Sequence, residues 1–94
     1  MTADEFRQRA TPHSTWPAAL IALWHDAQGD WTAAHDALQD DHSHAGAWVH
    51  AYLHRIEGDE FNAAYWYRRA GKPVCRTTCA EEWTQLVQVL AKDV

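Results

Sequence analysis

The stretch from Gly46 to Pro73, GAWVHAYLHRIEGDEFNAAYWYRRAGKP, admits few folds, because a glycine stop separates two apolar runs of helical period. Val49, Leu53 and Ile56 recur at spacings of four and three with Trp48 and Tyr52 beside them, which predicts a helix with one wide apolar face. Gly58 ends it. Asp59 is placed to cap a second helix, in which Ala63, Trp66, Tyr67 and Ala70 share a face. Gly71 and Pro73 close the unit, and the stretch reads as a helical hairpin.

The same pattern recurs 29 residues earlier, with Gly29-Asp30 standing in for Gly58-Asp59. That shift carries Ala22 onto Ala51, His25 onto His54, Ala34 onto Ala63 and Leu38 onto Tyr67. Pro17 suits the first turn of the earlier helix, with Ser14 or Thr15 as its cap and Leu20, Leu23, Trp24 and Ala27 as its stripe. After Gly29, residues Trp31, Ala34, His35 and Leu38 lie at the spacing of one helix face. Beyond Pro73, Thr78 and Glu81 have capping-box spacing, and Trp83, Leu86, Val87 and Leu90 form an amphipathic stripe that needs cover. The expectation is one all-α domain over 1–94. It comprises an N-terminal helix or tail and loop at 1–15, hairpins at 16–41 and 45–73, and a helix at 77–92.

Composition narrows the function classes. Hydrophobic residues are 47% of the chain and charged ones 22%, as in ordinary globular domains. A net charge of −5 argues against phosphate-neutralising nucleic-acid binding, apart from a local basic patch at Arg68, Arg69 and Lys72. No segment approaches the roughly 20 apolar residues of a membrane span, and the N-terminus lacks an apolar run, so a cytoplasmic location is expected. Two cysteines are too few for a disulfide framework. The six tryptophans, roughly one per predicted helix, are expected to anchor the core.

The coinciding residues resemble the tetratricopeptide repeat. Ile21-Ala22-x-x-His25 and His50-Ala51-x-x-His54 echo the family's large-small-x-x-aromatic pattern, while Ala34…Leu38, Ala63…Tyr67, Ala70 and Pro73 echo its second helix. The resemblance covers about residues 16–73. Its period of 29 is shorter than the family's 34, Asp41 replaces the counterpart of Ala70, and histidines replace the signature aromatics. The resemblance implies antiparallel hairpins stacked as a short solenoid with a C-terminal capping helix. It also implies a groove lined by Leu20, Leu23, Ala27, Trp48, Val49, Tyr52 and Ile56. Of the Lys, Arg and Asn that grip peptide carboxylates in some members, only Arg55 lies near such a position, so carboxylate recognition is not supported. The chain's own C-terminal helix is the most economical occupant of that groove. With only two repeats, the end helices or a second copy of the chain must supply cover, so a homodimer fits.

Candidate chemistry sits in three places. Tyr65-Trp66-Tyr67-Arg68-Arg69 puts three successive aromatics on a helix, so at least one faces outward. Tyr65 with Arg68, beside Arg69, reads as a protein-recognition patch or as an Arg stem lying on a ring. His50 and His54, one turn apart with Glu57 on the same face, could hold a metal ion. A third ligand is not defined by the sequence, and the repeat register gives His54 a packing role instead. Cys75 and Cys79 flank a helix start without the two-residue gap of redox or zinc motifs. Cys79 is the more reactive candidate, the alternative being two small packing residues. No phosphate loop or nucleophile motif is present. A protein-binding adaptor using Trp48, Tyr52, Arg55, Tyr65, Arg68 and Arg69, without a cofactor, is therefore expected ahead of an enzyme. A metal or small-ligand site at His50 and His54 is the alternative.

Overall fold

The computed structural model describes residues 1–92, and these form six helices without a strand. They are α1 (Ala3–Gln8), α2 (Ala18–Ala27), α3 (Trp31–Ala37), α4 (His44–Ile56), α5 (Glu60–Ala70) and α6 (Cys79–Leu90). The two hairpin turns share one backbone geometry. Gly29 and Gly58 take φ of +81° and +83°, the left-handed region that favours glycine. Asp30 and Asp59 then bond back to the carbonyls of His25 and His54 at 3.0 and 2.9 Å. The carboxylates of the same aspartates accept the amides of Ala33 and Asn62, so each turn stops one helix and caps the next.

The helices stack in three layers. α2 and α4 occupy the middle, α3 and α5 pack on their outer side, and α6 with α1 covers the inner side. The groove expected along α2 and α4 is thus filled by α6, whose Trp83, Leu86 and Val87 are buried. The Trp83 indole donates to the Leu23 carbonyl at 3.1 Å, which fixes α6 against α2. α1 is a real helix and not a frayed tail. Thr2 and Glu5 form a reciprocal capping box, and Phe6 is fully buried, stacked on Trp16 at 5.0 Å between ring centres.

Three local expectations are corrected. Neither Ser14 nor Thr15 caps α2; Pro17 takes the cap position and Thr15 bonds to His13 instead. Ile56, placed on the apolar face by its spacing, is exposed at the last residue of α4. The tryptophans do anchor the core, Trp16, Trp48 and Trp83 buried within it and Trp24, Trp31 and Trp66 half-buried against it. Thr78 accepts the Glu81 amide, but the Glu81 carboxylate meets the Thr78 hydroxyl and not its backbone, so only half of the capping box forms.

Candidate histidine centre

The side chains expected to line a partner groove are engaged within the fold. Trp48 and Tyr52 are buried, and the Tyr52 hydroxyl donates to Asp26 at 2.6 Å. Arg55 meets Glu82 of α6 at 3.0 Å and also donates to the Thr77 carbonyl. Glu82 is fully buried, yet it accepts from Trp48, Arg55 and Tyr67, the last at 2.6 and 2.8 Å. A buried carboxylate is tolerated only when it is paired and hydrogen-bonded, as this one is. Its three donors come from α4 and α5, so it clamps the hairpin onto α6. Burial together with the Glu82 bond pushes the Tyr67 phenol far above its ordinary range, and it acts as a neutral donor.

On the outward face of α5, Tyr65 pairs with Arg69 and not with Arg68. The guanidinium donates to the phenol oxygen at 3.0 Å and lies over the Tyr65 and Trp66 rings at 5.7 and 5.2 Å. The separation of four residues, and not three, aligns these two long side chains here. Arg68 is exposed without such a contact.

The histidines are brought together in a way the sequence left incomplete. His50 and His54 project from α4, and His35 of α3 joins them. One coordinating atom from each lies within 4.8 Å of the others. His35 Nε2 and His50 Nε2 are 3.1 Å apart. Two nitrogens bound to a tetrahedral zinc ion at about 2.0–2.1 Å would be about 3.3–3.4 Å apart, so this pair already stands near coordination spacing. The rings are held by aromatic walls: Trp31 stacks on His35 at 5.0 Å, and Trp66 stacks on His50 at 4.0 Å. Glu57 accepts from or pairs with His54 Nδ1 at 2.6 Å, which leaves Nε2 of that ring as the coordinating atom. A carboxylate behind a histidine is the arrangement that orients metal-ligating imidazoles.

His50 is 7% exposed, and its Nδ1 is buried without a hydrogen-bond partner. Burial, helped by neighbouring His35 and His54 and opposed by Asp41, lowers its pKa to about 4. The ring is therefore neutral at physiological pH, the form in which imidazole binds metals. A second grouping of His54, Glu57 and Asp59 is less suited, since Asp59 is already committed to Asn62 as the α5 cap.

His35 is the residue missed by sequence reasoning. Its helix face was legible beside Trp31 and Ala34, but its meeting with His50 depends on how α3 crosses α4. His42 and His44 are exposed; His44 opens α4 and Ser43 caps it. Cys75 and Cys79 are half-buried free thiols, with the Cys75 sulfur 3.1 Å from the Thr77 hydroxyl. No known protein family, curated protein or solved structure matches the chain.

Proposed function

We propose that this protein binds one divalent transition-metal ion, zinc in the first instance, through His35, His50 and His54. The observation that carries the reading is the convergence of three imidazoles from two helices, two of them at coordination spacing. Glu57 behind His54, the neutral state of His50 and the aromatic walls support it. Three protein ligands leave a tetrahedral ion one open position, the pattern of sites that bind a water or an exogenous ligand. Cobalt(II) is the probe: the reduced, untagged chain should develop intense visible absorption at one equivalent, with His35→Ala abolishing it. Weak, octahedral-type absorption with no endpoint would overturn the reading.

One observation favours a second reading, a protein contact on the outward face of α5 within a diverged tetratricopeptide-like scaffold. Phe61 is 87% exposed, and Tyr65 follows one turn later with Arg68 and Arg69 alongside. Exposed aromatics beside arginine match the composition of interface centres. The partner on this reading is a protein or peptide, a second copy of the chain included. Light scattering of wild type and of Phe61→Ser with Tyr65→Ser tests self-association, and an identical monomeric mass for both excludes the homodimer.

A further inference from the structure

A cavity of about 220 Å³ opens beside the histidine centre, bounded by Asp41, His42, His44 and Ala47 on one side and Trp66 and Arg69 on the other. It adjoins His50 along both helices. Ala47 precedes His50 by one turn of α4, and Trp66 of α5 lies flat against the His50 ring.

The lining is rich in donors that the fold leaves unused. Arg69 makes one hydrogen bond, to the Tyr65 oxygen, and among the described residues it has no carboxylate within salt-bridge distance. The Trp66 indole nitrogen and both rings of His42 and His44 make no hydrogen bond among the described residues. The lining also holds one carboxylate, that of Asp41. Asp41 accepts the Ser43 amide at 2.8 Å, and its carboxylate is packed against Gly46 at the start of α4. Arg69 is the one guanidinium in the lining, set across the cavity from the Asp41 carboxylate, with the Trp66 indole and two imidazoles as further hydrogen-bonding groups.

We infer that this cavity is a subsite for a small oxyanion, a phosphate or carboxylate group, held by Arg69 with the Trp66 indole. The guanidinium fork matches either group in geometry. The inference rests on the reading of the histidine cluster as the functional centre. It gives the ligand of that centre an anionic end, held beside the Trp66 ring that stacks on His50.

The test is a titration of the full chain followed by ¹H–¹⁵N spectra, with inorganic phosphate in one series, acetate in a second and sodium chloride as the ionic-strength control. The Trp66 indole signal, assigned with Trp66→Phe, should shift saturably with phosphate or acetate but not with chloride, and the series that saturates first identifies the class. Arg69→Gln should weaken the response at least tenfold, and Arg69→Lys should retain part of it. Absence of a saturable shift, or a response unchanged in Arg69→Gln, overturns the inference. The metal reading is separated from it by two readouts. Arg69→Gln should bind zinc as wild type does, and His35→Ala should still respond to the anion. A chain that binds the anion but no zinc keeps the subsite and loses the metal.

Discussion

The indole nitrogen of Trp31 donates to the main-chain carbonyl of Leu53 at 2.8 Å, joining α3 to α4 at the level of the histidines. The same indole stacks on His35 and meets His54 at its edge. One side chain therefore both ties the helices and walls the centre. Trp31→Phe keeps most of the ring but removes the donor. The expected loss is about 1 kcal/mol of stability in chemical denaturation. Zinc affinity should fall about 10-fold or more, as for other groups that orient metal ligands. Unchanged zinc affinity in this variant would show that the bond does not position His35.

Glu82 and Arg55 close the inner groove, and the closure is testable. Arg55→Met leaves a fully buried carboxylate without its cation, for which a loss on the order of 3 kcal/mol is expected. Tyr67→Phe removes a hydrogen bond to a charged group and should cost about 1.5–3 kcal/mol. If Arg55→Met unfolds at the wild-type urea midpoint, the ion pair does not hold α6 in place.

Acid should weaken the metal-free protein through His50. Its folded pKa of about 4 lies below the ordinary 6.5, so the unfolded chain binds a proton that the folded chain refuses between those values. Its contribution is fully present above pH 6.5 and is lost as pH falls through about 4, amounting to roughly 3 kcal/mol. Asp26 works the other way. Burial raises its pKa against the Tyr52 hydrogen bond, so its contribution is present at low pH and is lost as pH rises through the raised value. Stability of wild type and His50→Gln across pH 4 to 7 separates the two. Equal slopes in both proteins would remove His50 as the source.

Gly46 and Asp41 form a coupled pair. A Cβ at Gly46 would lie 2.6 Å from the Asp41 carboxyl carbon, so alanine must displace a side chain that now accepts the Ser43 amide. The lost hydrogen bond, about 1 kcal/mol, offsets the helix-propensity gain of similar size, and Gly46→Ala alone should be near neutral. In an Asp41→Ala background the same change should stabilise by about 1 kcal/mol. Equal effects in both backgrounds would mean that the contact is not felt.

Much of the all-α architecture was legible because it rests on local rules. Gly29-Asp30 and Gly58-Asp59 stop and cap helices by their own backbone chemistry, and the Trp83 stripe announces a helix needing cover. Glu82 was not legible. It sits four residues before Leu86 on the buried face, but an acid among apolar neighbours is read as solvated until its donors on α4 and α5 are known. His35 was hidden for the same reason. Its helix is local, but its neighbours are fixed by the crossing of α3 over α4, which no residue spacing within α3 encodes.

The most direct test of the central claim is calorimetric titration of zinc into the untagged, reduced protein at pH 7.5, with His35→Ala and His44→Ala beside it. The account predicts one zinc per chain in wild type and in His44→Ala. It also predicts a loss of at least 100-fold in affinity in His35→Ala, with the helical circular dichroism of that variant retained. Zinc binding unaffected by His35→Ala, or no saturable binding by the wild-type chain, would contradict it.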